Sequence, residues 1–202
     1  MHATIYNEFR AILSQLKITG PILEIGAVPE ENTLLNIDLL RARERIGINI
    51  APASSYNGFD ILQASATDLS VFKNGHFDCV LSNATIEHEK QFWKICAEIR
   101  RVLRPGGVAI VGAPGYSRTG DTGHLTLSKP AAAFPASAAA AADPLAEWDV
   151  TTLVYRYHGA PKDYYRFSED AFREVIFEGY RDVCIRTVMV PPRLIGSGIK
   201  AV

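Results

Sequence analysis

The sequence is short of everything that would staple it covalently or seat it in a bilayer. Its 202 residues hold three cysteines, Cys79, Cys96 and Cys184, far apart and with no C-x-x-C pair, which argues against a disulfide framework or a zinc knuckle. Cys79 and Cys184 fall in strand-like apolar runs, where a buried, inert thiol is the usual outcome. No stretch reaches the roughly 18 apolar residues that a membrane-spanning helix needs. Residues Met1 to Arg10 carry Glu8 and Arg10 and no apolar run, unlike a signal peptide. A cytoplasmic location with no membrane partner is the resulting expectation. Charge of one sign is lacking as well: the formal net charge is -1, so nothing draws the chain generally to nucleic acid or anionic lipid.

Several catalytic signatures are also missing. There is no G-x-x-x-x-G-K-[ST] phosphate loop, no H-E-x-x-H zinc helix and no G-x-S-x-G nucleophile elbow. Gly196-Ser197-Gly198 lies in a strand-like stretch and not at a strand-to-helix turn. The five histidines are scattered and unpaired with carboxylates at ligand spacing, so no metal site is expected.

What is present is the alternation of an α/β domain. Hydrophobic residues at 48% and charged residues at 21% are ordinary for a globular chain, and the length suffices for one such domain, not two. Phe9, Ile12, Leu13 and Leu16 recur at helical spacing, and Gly20-Pro21 ends that helix. Ile22-Leu23-Glu24-Ile25-Gly26 reads as a buried parallel strand. Leu34 to Leu40 suggests a short helix, and Arg45 to Ile50 a second strand. Phe59 to Gln63 reads as a third, weaker strand, and Phe77 to Ser82 as a strong fourth. Phe92, Ile95, Cys96, Ile99, Val102 and Leu103 share a helix face, and Arg104-Pro105-Gly106-Gly107 turns the chain into the strand Val108 to Gly112. Such alternation implies a doubly wound, mostly parallel sheet with helices on both faces.

From Gly115 to about Val150 the rhythm breaks. Pro130 and Pro135 interrupt an alanine-rich stretch that ends in Ala138 to Ala142, so one long helix is excluded. A lid-like insertion over the cleft and a plain surface loop are equally compatible with it. The chain is expected to be one domain over 1–202 carrying this insertion at about 115–150. Regular pattern resumes with a helix starting at Ser168-Glu169-Asp170, whose apolar face is Phe172, Val175, Ile176 and Phe177. Two strands follow, Val183 to Val190 and Leu194 to Val202, joined by Pro191-Pro192-Arg193. So short a link requires an antiparallel pair.

That order of elements resembles the class I S-adenosylmethionine-dependent methyltransferases, type 11-like, whose Rossmann-like seven-stranded sheet ends in an antiparallel hairpin. Ile22-Leu23-Glu24-Ile25-Gly26-Ala27 looks like the family's first cofactor motif. The stretch from Phe77 to His88 is similar to its fourth-strand motif. Glu98-Ile99-Arg100-Arg101-Val102-Leu103-Arg104-Pro105-Gly106-Gly107 is similar to the helix and turn before its fifth strand, and is the most specific of the three. The resemblance covers Pro21 to Pro114 well and the tail from His158 less firmly.

The resemblance implies S-adenosylmethionine as cofactor, held by Glu24, Gly26, Asn49, Ser65, Ala66 and Asn83. Gly26 lets the backbone approach the methionine moiety, and Glu24 lies near its amino group, unless it is a buried acid bonding a neighbouring loop. Three positions depart from the family pattern. The loop after Gly26 is poor in glycine; Asn49 stands where an acid usually accepts the ribose hydroxyls; Ser65-Ala66 replaces the acid that meets the adenine amino group, with Asp68 nearby. Ligands in open α/β sheets bind beyond the carboxyl ends of the strands.

The chemistry implied is methyl transfer to a small-molecule or glycan acceptor, with oxygen preferred as the accepting atom. His158 is the preferred catalytic base and His88 a second candidate, the latter also able to pack or cap. The segment Tyr155 to Ser168 is dense in aromatic and polar groups. Tyr157, Asp163, Tyr165 and Arg166 there are candidate acceptor contacts, or a loop packing its tyrosines with Arg166 paired to Asp163. A nicotinamide oxidoreductase would need G-x-G-x-x-G and a ribose-binding acid about 20 residues on, and both are missing. A catalytically inactive relative with a binding or scaffold role is the standing alternative. A homodimer remains an open option.

Overall fold

A computed structural model describes residues 1–115, 117–118, 150–151, 162–189 and 192–202. Tyr157, His158 and nearly all of the 115–150 insertion lie outside the described residues. At the borders of that insertion, β7 (Ser117–Arg118) and β8 (Val150–Thr151) pair antiparallel.

The main sheet has the order β3-β4-β2-β1-β5-β6-β10-β9. Its parallel centre is β4 (Phe59–Gln63), β2 (Arg45–Asn49), β1 (Ile22–Ile25), β5 (Phe77–Asn83) and β6 (Leu103–Ala113). Then β10 (Pro192–Lys200) pairs antiparallel with β6, and β9 (Tyr180–Met189) antiparallel with β10. This is the doubly wound sheet with a C-terminal antiparallel hairpin that the sequence implies, with eight strands in place of seven. The additional strand, β3 (Ser54–Tyr56), folds back on β4 through Asn57 and Gly58, whose φ angles are 47° and 80°. Asn-Gly is the pair a two-residue hairpin turn selects, because both central residues need positive φ.

Among the described residues, one α-helix covers each face. Helix α1 (Ala3–Leu13) buries Ile5, Phe9, Ile12 and Leu13 against Ile22, Cys79, Leu81, Ile110 and Ile195. It ends at Leu13, so Leu16 only packs on that cluster from outside. Helix α2 (Phe92–Val102) buries Ile95, Ile99 and Val102 against Leu23, Val80 and Ala109, and Phe167, Phe172 and Phe177 complete that layer.

The helix expected over Leu34 to Leu40 is two single 3-10 turns, Leu34–Asn36 and Asp38–Leu40, separated by Ile37 at φ -55°, ψ 125°. The cause is Glu24, whose carboxylate takes the amides of Leu34 and Leu35 and binds the turn to β1. After Ser168, the turn Ala171–Ile176 is widened: Phe177 N–H bonds Phe172 O at 2.8 Å, five residues back. Phe172, Ile176 and Phe177 face the core as expected, but the wider turn leaves Val175 43% exposed. Cys79 is buried as the sequence suggests, whereas Cys184 is exposed, because β9 is an edge strand and turns it to solvent.

Candidate functional site

Strand β1 leads to β2 on one side of the sheet, while β5 lies on its other side. The order therefore switches between β1 and β5, where an open α/β sheet forms its ligand crevice at the carboxyl ends. Parallel register places Ile25 beside Ile48 and Ser82, and Ser82 beside Val111. Gly26, Asn49, Asn83 and Gly112 consequently follow one another along a single rim.

Gly26 sits at φ +82°, and its amide and that of Ala27 both donate to Ile48 O, at 2.9 and 3.0 Å. A Cβ on Gly26 would stand 2.5 Å from Thr85 Oγ1. Thr85 in turn donates to Ile25 O at 3.3 Å. Only glycine fits this position, for its φ and for its contact with the turn after β5. That turn is tight as well: Ala84 adopts φ 55°, and its amide bonds Gly112 O at 2.9 Å.

Glu24 is buried. Its Oε2 accepts from Thr33 Oγ1 at 2.7 Å and Leu35 N at 3.0 Å, and its Oε1 accepts from Leu34 N at 3.1 Å. Burial pushes the carboxyl up from its ordinary value, and these three donors act against that shift. The side chain is committed to the loop, the arrangement weighed above as a buried acid bonding its neighbour. Asn49 Nδ2 donates to Ala27 O at 2.8 Å, and its Oδ1 accepts from Ala51 N at 3.0 Å. Ser65 Oγ lies 2.8 Å from Thr67 Oγ1 and accepts from Thr67 N at 3.3 Å, so it shapes its own turn. Ala66 packs partly on the core. Asp68 is occupied with Ser70 N at 3.0 Å, and hydrogen bonds from Ser70 hold its carboxyl below the usual range.

Asn83 differs from these. Its Oδ1 is buried and accepts no hydrogen bond among the described residues, as is also true of Ser82 Oγ. A Cβ at Gly112 would stand 2.7 Å from that oxygen, so glycine on β6 makes room for the Asn83 amide. An unsatisfied buried acceptor costs about 1–3 kcal/mol, which a bound donor would recover.

Beyond β5, the turn Ile86–His88 meets the second candidate region. His88 Nδ1 lies 3.3 Å from Lys162 O. Asp163 grips Arg166 with both oxygens, at 2.5 and 2.6 Å, and this pairing raises the guanidinium's proton affinity. Tyr165 donates its hydroxyl to Lys90 O at 2.6 Å and sets its ring against Phe92 and Phe167. His88, Asp163, Tyr165 and Arg166 are thus brought to one end of the sheet; His158 and Tyr157 lie outside the described residues.

Two residues in this region escaped sequence reasoning, Glu87 and Arg193. Glu87 has a fully buried side chain, Oε1 lying 3.7 Å from Arg193 Nη1 and 3.8 Å from His88 Nε2. Its backbone oxygen accepts from Tyr164 N at 2.8 Å. Burial pushes its carboxyl up, and Arg193 and His88 pull it back; burial also lowers the Arg193 guanidinium. The available signal was an arginine following a proline pair.

Among the described residues, no group of three or more His, Cys, Asp or Glu is placed to hold a metal ion, and no helix is long and apolar enough to cross a membrane.

Residues 31–111 match the family model described as "Methyltransferase domain". No curated protein matches the chain in sequence. Among solved structures, it is similar to an S-adenosylmethionine-dependent methyltransferase from Archaeoglobus fulgidus, at a TM-score of 0.63 and 11% identity over 98% of this chain and 93% of that one. It is similar to the 1,6-didemethyltoxoflavin-N1-methyltransferase of Burkholderia thailandensis, solved with its substrate and S-adenosylhomocysteine, at 0.62 and 14% over 98% and 78%. A possible exported protein from Bordetella parapertussis gives 0.62 and 14% over 98% and 68%. At these identities the likeness is one of fold.

Proposed function

We propose that this chain is a class I methyltransferase that transfers a methyl group from S-adenosylmethionine to a small polar acceptor, a reading supported by the match of residues 31–111 to a methyltransferase domain and by the likeness of fold. The observation that carries this reading is the rim between β1 and β5, where Gly26 and the unsatisfied Asn83 Oδ1 face the switch in strand order, Asn83 lying within the matched residues 31–111 and Gly26 just ahead of them. The residues present suit the cofactor: a glycine allows close backbone approach, and a buried amide oxygen suits an ammonium donor. Glu24 acts at one remove, by fixing the loop that borders the methionine moiety. The cofactor, when bound, supplies an electrophilic methyl group on sulfur. This chain's own work is then to align the acceptor, exclude water and take up its proton.

The acceptor side is the region of His88, Asp163, Tyr165 and Arg166, with Glu87 and Arg193 behind it. We assign acceptor binding to Asp163 and Arg166, and place Tyr157 and His158 with them on sequence grounds. His88 or His158 removes the proton. The near-neutral net charge favours a small molecule or glycan over nucleic acid. Oxygen is the acceptor atom we favour; the Burkholderia protein is named for methylation at a ring nitrogen, so nitrogen acceptors belong in the test. That test is a mass-spectrometric screen of hydroxyl, phenol and amine compounds with the cofactor present. Product heavier by one methylene confirms transfer; S-adenosylhomocysteine formed with none of the panel, or with all equally, contradicts a specific small acceptor.

One observation favours a second reading, a methyltransferase fold that binds without catalysis: Asn49 and Glu24, both placed at the cofactor by resemblance, are engaged by the protein itself.

A further inference from the structure

The loop after β1 is poor in glycine, yet it must lie close to the cleft. Its path is held from two directions. At its start, Ala27 is wholly buried and gives its N–H to Ile48 O at 3.0 Å, while its own carbonyl accepts from Asn49 Nδ2 at 2.8 Å. Both polar groups of this residue are therefore taken by the end of β2. Ala27 Cβ presses on the same strand, standing 2.6 Å from where a Cβ on Gly47 would be. At the loop's far end, Glu24 holds Thr33, Leu34 and Leu35.

A carboxamide has two N–H donors and one oxygen that accepts twice. In Asn49 one donor serves Ala27 O, and one acceptor position receives Ala51 N–H at 3.0 Å. These two partners also fix which way the amide points, since Ala27 O can only accept and Ala51 N–H can only donate. One acceptor position remains on Oδ1. An aspartate here could not donate to Ala27 O, and would set a charged oxygen against that carbonyl oxygen.

We infer that Asn49 is a positioning residue, clamping the loop after β1 to the end of β2, and that this clamp, not ribose binding, is why an amide stands at the position. The inference rests on the proposed cofactor reading for its ligand. It explains the departure from the family's acid as an exchange. Two-point acceptance of the ribose diol is given up, and a loop without the usual glycines is held in place by a side chain. Ribose recognition is left with a single Oδ1 position, so the cofactor is gripped mainly through its other parts.

The test uses the intact chain and S-adenosylhomocysteine as probe, titrated calorimetrically into wild type, Asn49→Ala and Asn49→Asp. The clamp predicts the order wild type, then Asn49→Ala, then Asn49→Asp, with the last weakened by about tenfold or more. If the position serves as a ribose acceptor, Asn49→Asp binds tightest, and that order overturns the inference, as does Asn49→Ala binding like wild type. Hydrogen exchange without ligand separates the clamp from the cofactor reading. Faster exchange at Ala27 in both variants, and at Ala51 in Asn49→Ala, with circular dichroism unchanged, is the expected result. Unchanged exchange there overturns the clamp. Should the probe bind none of the three proteins, the cofactor reading fails and exchange alone decides the clamp.

Discussion

Arg193 Nη1 lies 3.7 Å from Glu87 Oε1, with side chains 11% and 0% exposed. A charge pair closed off from water therefore joins the start of β10 to the turn after β5. Removing one member of such a pair strands the other in a low-dielectric site, and usually costs about 3 kcal/mol or more. Glu87→Ala should lower the unfolding free energy by about that much in urea titration. The double variant Glu87→Ala/Arg193→Met should be less destabilised than the two single losses summed. Strict additivity would mean that the two charges do not interact.

A second acid secures the opposite end of β5. Asp78 accepts from Gly20 N at 2.6 Å and from Thr19 N and Thr19 Oγ1 at 3.1 Å each, and it also pairs with Arg104. Arg104 first, and then these hydrogen bonds, hold its carboxyl well below the usual carboxylate range, against the effect of burial. A depressed value in the folded state means the unfolded chain binds the proton more readily. The stabilisation is therefore complete above pH ~4 and is lost as pH falls below it. Asp78→Asn should flatten this acid limb of the stability curve and cost about 2 kcal/mol at neutral pH. Parallel acid limbs in the two proteins would refute this account of Asp78.

Gly26 is required twice over, by its φ of +82° and by the 2.5 Å that would separate a Cβ from Thr85 Oγ1. Gly26→Ala should cost about 1–2 kcal/mol from backbone strain alone, and more from the clash. Adding Thr85→Ser, which keeps the hydroxyl, should recover little, whereas adding Thr85→Ala should recover the clash and leave the strain. Melting temperatures of the four proteins check this, and full recovery in the double variant would remove the backbone argument.

The three thiols should separate by reactivity. Cys184 is exposed; burial raises the Cys79 thiol, and pushes the Cys96 thiol up to about 12. Since the thiolate is the nucleophile, iodoacetamide at neutral pH should label Cys184 in the native protein and reach the other two only on unfolding. Peptide mapping reads the result, and native labelling of Cys79 would contradict its burial.

How much of this was legible in the sequence differs from element to element. The runs at β1 and β5 are continuous because both faces of these strands are covered, so hydropathy alone finds them. The β9–β10 pair was legible from the shortness of its link. The 3-10 turns at Leu34 and Asp38 were not, because periodicity cannot register a carboxylate ten residues upstream taking over the first helical amides. Strand β3 was missed although Asn57-Gly58 announced it; with three residues, the strand is too short for an alternation to register.

The site was legible in position but not in its bonding. Gly26, Asn49 and Asn83 could be placed at strand ends from spacing. That Asn49 faces Ala27 O, and that Glu24 faces Thr33, follows only from the loop folding back. Glu87 and Arg193 are 106 residues apart by number, and only the antiparallel return of β10 beside β6 brings them together.

The most direct measurement is a calorimetric titration of the purified chain with S-adenosylmethionine and S-adenosylhomocysteine. Binding of either in the micromolar range, about 8 kcal/mol, is the result this account predicts. Absence of both heat and thermal shift with millimolar ligand would contradict it, and would leave the fold to a role without this cofactor.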